Sequence, residues 1–164
     1  MRLHLFAALL LAPLALGGCD DNPIGSGGAA LVGAWSSGPI HFPGMAPNGS
    51  TNVSYQEDRR YESDGTVYHS ESIIDETTGV HWVIHARTGT WQASDRVLRE
   101  VTRAYYVADL TQPPREPVLA PIVEPQLSRV NYEVQGTTLV ITATCPPNAN
   151  CIKTLPLHRV PTLF

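Results

Sequence analysis

Short segments of alternating apolar and polar residues recur along most of this 164-residue chain, and each is closed by a glycine-bearing or Asp-bearing turn. This pattern limits the fold more than any other feature, because a period of two places every second side chain on one face of a strand. The expected strands are 31–37, 52–62, 66–74, 80–88, 89–92, 97–108, 127–134, 138–144 and 152–160. Ser63-Asp64-Gly65, Thr77-Thr78-Gly79, Ser94-Asp95-Arg96 and Gln135-Gly136-Thr137 supply the turns, since tight hairpins need positive φ at one or two positions. With no helical periodicity between them, such hairpins predict an all-β, antiparallel up-and-down meander that closes as a barrel or folds over as a sandwich. A weak internal repeat favours the barrel: Trp91 to Leu98 and Tyr132 to Leu139 are hairpins of one size, each running from an aromatic to a leucine.

Leu31-Val32-Gly33-Ala34-Trp35, Tyr61-Glu62-Ser63-Asp64-Gly65-Thr66, Gly89-Thr90-Trp91 and the last hairpin, ending Leu157-His158-Arg159, carry a resemblance. Residues 29–164 resemble the lipocalin-like, calycin-type domains of bacterial lipoproteins. That resemblance implies a β-barrel of eight to nine strands. It also implies that Trp35 closes one barrel end and that Arg159 packs across its ring, a contact that contributes about 0.5 to 2 kcal/mol. The larger lipocalins carry a helix after the barrel, and this chain ends instead at Thr162-Leu163-Phe164.

The N-terminus has the layout of an export signal: Arg2, then an apolar run over 3–16 broken only by His4 and Pro13. Asp20-Asp21-Asn22 follows too soon for the roughly 20 apolar residues of a membrane span. Leu16-Gly17-Gly18-Cys19 resembles the lipobox of bacterial lipoproteins. The resemblance implies cleavage after Gly18, acylation of Cys19 with chains such as palmitate, and a bacterial envelope address with the domain in the periplasm or outside the cell. Asp20 resembles an inner-membrane retention cue, and the choice between inner and outer membrane stays open. An ordinary secretory signal cut at Gly18 is the competing reading, and it would leave Cys19 as an odd exported thiol. Residues 1–18 are thus the expected signal peptide, 19–28 a lipidated cysteine and flexible Asp/Asn/Pro/Gly/Ser tether, and 29–164 the barrel domain.

Of the three cysteines, Cys145 and Cys151 remain once Cys19 is lipidated. Export favours a disulfide between them, whose short loop gives roughly 2 kcal/mol. A metal pair is disfavoured, because structural zinc sites space their cysteines two to four residues apart and need four ligands. Losing 1–18 removes Arg2 and leaves ten basic residues against fifteen acidic ones. A mildly acidic chain without basic clusters in sequence argues against a nucleic-acid partner.

No segment carries a catalytic signature. Ser26 lacks the strand and helix of a nucleophile elbow, and phosphate-loop, dinucleotide and zinc-protease patterns are absent from the sequence. Asn48-Gly-Ser and Asn52-Val-Ser match glycosylation acceptors, which a bacterial address makes incidental. His81 and His85, on one strand face, would stand about 13 Å apart, too far to share one ion. The charged run 55–62 reads as a solvated strand pairing with Arg87, Arg99 or Glu71. Catalysis would need a polar cleft with an Asp or Glu beside His41, His69, His81 or His85. No cofactor or metal is expected.

If the barrel holds a cavity, Trp82, Tyr106 and Tyr132 are expected to line it, with Phe42 and Met45 at its rim, for a small apolar or amphipathic ligand. The alternative is a structural or protein-interaction module with a filled barrel, contacting an envelope protein through the Pro-rich segment 111–125. In both readings the membrane is a partner through Cys19.

Overall fold

A computed structural model describes residues 24–108, 118–120, 124–144 and 154–161. Cys19, the signal segment, Cys145, Cys151 and most of 111–125 lie outside the described residues. Among the described residues ten strands form one antiparallel sheet: β1 (Gly33–Ser36), β2 (Ile40–His41), β3 (Val53–Tyr61), β4 (Thr66–Asp75), β5 (Val80–Ser94), β6 (Val97–Val107), β7 (Val118–Ala120), β8 (Gln126–Gln135), β9 (Thr138–Thr142) and β10 (Thr154–Val160). β1 bonds both to β10 and to β3, so eight strands close into a barrel, while β2 continues along β3 and β7 along β6. Closure leaves the eight barrel strands without the unpaired edges that make open sheets prone to aggregate. The architecture is compatible with a lipocalin-like fold.

Four details differ from the sequence reading. The two strands expected over 80–92 are one fifteen-residue strand, β5. Gly89 lies inside it, and a Cβ there would sit 1.9 Å from the Val101 carbonyl oxygen. This glycine permits a close strand approach at a register shift. The segments 40–41 and 118–120, expected in loops, add short strands. Residues 24–28, expected as tether, belong to the folded body. Ile24 is buried in the main core, its carbonyl accepts from the Ala93 amide at 2.9 Å, and the Gly27 amide donates to the Ala93 carbonyl at 3.2 Å. The physical reason is that Ile24 is the sole large apolar side chain there, and the free edge of Ala93 satisfies the backbone around it.

A second register shift, between Glu71 and Ser72, corrects the histidine reading. The shift leaves Ile84 as the extra residue of β5, so His85 pairs with Glu71 while His81 pairs with Ile74. A one-residue slip reverses the faces. His85 therefore points inward, and His81, on the opposite face, is exposed.

Two apolar clusters fill the two ends of the barrel. At one end Trp35, Tyr61, Val67, Trp91, Leu98, Leu139 and Leu157 pack together with Tyr132, and Tyr61 meets Trp91 edge-on at 5.1 Å. At the other end Val53, Ile73 and Trp82 are covered by Ala46 and Phe42 from the loop after β2. Asp75 fastens that loop by accepting from Asn48 Nδ2 at 2.8 Å and Ser50 Oγ at 3.0 Å. The Asn48 bond, with those from Thr78, Thr77 and Ser50, holds the Asp75 carboxyl well below the usual carboxylate range.

Candidate functional site

The odd-numbered residues of β3 and β4 face inward, as Val53, Tyr61, Val67 and Ile73 do in the two cores. The same parity carries Tyr55, Glu57, Arg59, His69 and Glu71 into the barrel, and the register adds Arg87 and His85 from β5. Glu100 enters from β6 as the partner of Trp91. The middle of the barrel is therefore a belt of charge. This corrects the reading of 55–62 as a solvated strand: Glu57 is 6% and Arg59 8% exposed.

The deep part of this belt is closely bonded. Arg59 holds Glu57 Oε1 through Nη2 at 2.6 Å and Nε at 2.7 Å, and reaches Glu100 Oε1 through Nη1 at 3.1 Å. Tyr61 donates to the same Glu100 oxygen at 2.7 Å. His69 meets Glu57 Oε1 at 3.0 Å with Nε2, while Arg87 Nε donates to its Nδ1. A ring accepting at Nδ1 and donating from Nε2 is the neutral tautomer. Burial, reinforced by Arg59, also lowers the His69 pKa.

Burial by itself would raise both buried carboxyls, but the Arg59 charge, together with bonds from His69 to Glu57 and from Tyr61 to Glu100, holds them below their ordinary value. Burial and the facing carboxylates push Tyr61 and Tyr55 up, so both stay phenols. Toward the opposite end the belt becomes accessible: His85 Nδ1 lies 3.1 Å from Glu71, and these side chains are 38% and 23% exposed.

The pairing of His69 with Glu57, and of His85 with Glu71, brings together the residue types that catalysis would need. A general base must also reach a substrate proton, and both ring nitrogens of His69 are engaged within the belt. Among the described residues no group of three or more His, Cys, Asp and Glu side chains is placed to hold a metal ion. No helix among them is long and apolar enough to cross a membrane.

Acid should unfold the protein in a defined direction. His69, Glu57 and Glu100 all have folded pKa values below their unfolded ones, so the unfolded chain binds more protons and stability rises with pH. The His69 contribution is complete above its ordinary value near 6.5 and fades as pH falls below it. The carboxylate contribution is complete above about 4.5 and is lost at still lower pH. Urea midpoints measured from pH 8 down to pH 3 should fall in two stages, and a midpoint that rises on acidification would contradict the tautomer assigned to His69.

The residues expected to line one cavity are instead dispersed. Tyr132 belongs to one end cluster and donates to the Gly27 carbonyl at 3.0 Å. Trp82 and Phe42 belong to the other, and Met45 is 65% exposed. Tyr106 pairs with Ala86 and helps line a cavity of about 360 Å³ with Tyr68, Val83 and Asp58, and this cavity also borders His69 and Arg87 of the belt. The belt between the two ends is the reason Tyr132 cannot meet Trp82 and Phe42, which do pack together.

Trp35 and Arg159 do meet. They are register partners across β1 and β10, and the guanidinium lies 4.2 Å from the ring centre. Arg159 also donates to the Val32 and Ala30 carbonyls, each at 2.8 Å. Gly33, at φ +129°, makes room, since a Cβ there would stand 2.6 Å from Arg159 Nη1.

The inward glutamates, arginines and histidine escaped the sequence reading because their polarity suggested solvent. The signal that places them is the identity of their same-face neighbours: Val53, Tyr55 and Tyr61 share parity with Glu57 and Arg59, whereas Gln56, Asp58 and Arg60 have no large apolar companion. Comparison of the chain with protein-family models, curated proteins and solved structures finds no match.

Proposed function

We propose that this protein is an exported, lipid-anchored envelope module with a filled barrel, and that it acts as a structural or interaction element through its outer surface. The observation that carries this reading is the belt of Glu57, Arg59, His69 and Glu100, whose polar groups saturate one another between two apolar clusters. A carrier barrel of the small-molecule kind needs roughly 300 Å³ or more of lined space, and here the central layer is spent on internal bonds. The reading involves no catalytic step. The lipobox-like Leu16-Gly17-Gly18-Cys19 supports the anchor and the envelope address.

A second reading has one observation in its favour. Trp82 Nε1 is buried without an acceptor among the described residues, and a small amphipathic molecule entering near Phe42 and Trp82 would supply one.

Native mass spectrometry of protein purified from its own membrane separates the two. The filled-barrel reading expects the mass of residues 19–164 plus acyl groups and nothing more. A small molecule released on collisional activation, and lost in Trp82→Phe, would overturn it in favour of the second. Cys19→Ser should abolish palmitate incorporation and free the chain from the membrane fraction. Retention of the acyl label in that variant would remove the anchor.

A further inference from the structure

Arg99 and Arg129 are direct register partners across β6 and β8, on the outer wall. Both are exposed, and neither has an ion-pair or hydrogen-bond partner among the described residues. Like charges placed directly opposite destabilise a sheet, so the arrangement calls for an anion from outside the chain. The two arginines border an outer groove of about 760 Å³ whose apolar wall includes Val101 and Leu127. Val101 and Leu127 are themselves partners two residues along the same two strands, and Leu127 is 68% exposed. Asp64 also borders the groove, with its carboxylate accepting from the Thr66 amide at 2.8 Å.

Ile24 and Gly27 are fastened one strand position from this face. Both bond to Ala93, and the neighbour of Ala93 on β5, Gln92, pairs with Arg99. Five peptide steps from Cys19 to Ile24 span at most about 18 Å. An acyl group on Cys19 would therefore hold this side of the barrel close to the bilayer.

From these observations we infer that the Arg99–Arg129 face docks on the anionic phospholipid surface in which the protein is anchored. The guanidinium groups take lipid phosphates, which they match in a bidentate fork, and Leu127 and Val101 lie against the glycerol and upper acyl region. The orientation rests on the lipid-anchor reading, while the chemistry of the face does not.

The test uses the full lipidated protein carrying Leu127→Cys labelled with an environment-sensitive fluorophore, reconstituted in phosphatidylcholine nanodiscs with or without phosphatidylglycerol. Docking predicts a blue shift only with phosphatidylglycerol, reversed at about 1 M salt, where the screening length is near 3 Å. Arg99→Gln with Arg129→Gln should lower the docked-to-undocked ratio about thirtyfold, from the attraction of two arginines to an anionic surface. Equal emission in both lipids, or no change in the double variant, overturns the inference. If Cys19 proves unacylated, the anchor reading fails by itself, and the labelled chain is added to vesicles of the same two compositions. Arginine-dependent binding to phosphatidylglycerol then upholds the docking face, and its absence removes it.

Discussion

Replacing Arg59 with methionine is expected to destabilise the protein by about 3 to 5 kcal/mol, the usual effect of leaving buried charges unpaired. Among the described residues Arg59 is the one cation bonded to both Glu57 and Glu100, so its removal strands two carboxylates in the barrel. The protein should respond by protonating at least one of them. The loss should then shrink as pH is lowered, because acid neutralises the stranded groups in the variant. Urea unfolding at pH 7.5 and pH 5 measures both effects. A loss below about 1 kcal/mol at pH 7.5 would mean that water reaches the belt and that the barrel is not filled there. The combined variant Glu57→Gln, Arg59→Met and Glu100→Gln should recover part of the loss, since removing all members of a buried ionic group often costs little.

Trp35→Ala should be of similar size, about 3 to 5 kcal/mol for a fully buried aromatic. Trp35 is 0% exposed, its Nε1 donates to the Leu31 carbonyl at 2.7 Å, and its ring supports Arg159. The substitution opens a cavity, leaves a buried carbonyl without its donor and removes the platform beneath the guanidinium. Arg159→Ala should cost less, about 1 to 3 kcal/mol, because it loses one ring contact and two bonds to backbone carbonyls. In a double-mutant cycle the two changes should couple by about 0.5 to 2 kcal/mol. Additive losses would show that the guanidinium holds the 28–32 segment through its carbonyl bonds alone.

The neighbourhood of Trp35 was readable from sequence to an uneven degree. Gly33-x-Trp35 and Arg159 are marked by the lipocalin-like resemblance, and their contact follows once the first and last strands are adjacent. The hairpins were equally legible, because alternation and turn residues act within a few positions of each other. The His81–His85 geometry was not. It depends on a register shift opposite Glu71, and a bulge is set by how two strands settle against one another. Residues 24–28 were misread for a related reason: their composition is that of a tether, and only the free backbone groups of Ala93 make them part of the fold.

The candidate sites follow the same division. The alternating pattern by itself determined an all-β antiparallel meander and its hairpin order, and the lipocalin-like resemblance implied the aromatic, Trp35, that closes one end. The resemblance at Leu16-Gly17-Gly18-Cys19 added an expected address. Whether Glu57 and Arg59 met water or each other was decided by closure, since a charged strand face becomes an interior only when β1 bonds to both β3 and β10. The basic face was decided in the same way. Arg99 and Arg129 stand thirty residues apart in a mildly acidic chain, and register alone puts them side by side. Local sequence sets which residues alternate, whereas strand pairing sets which of them share a face, and the chemistry of this protein depends on the second.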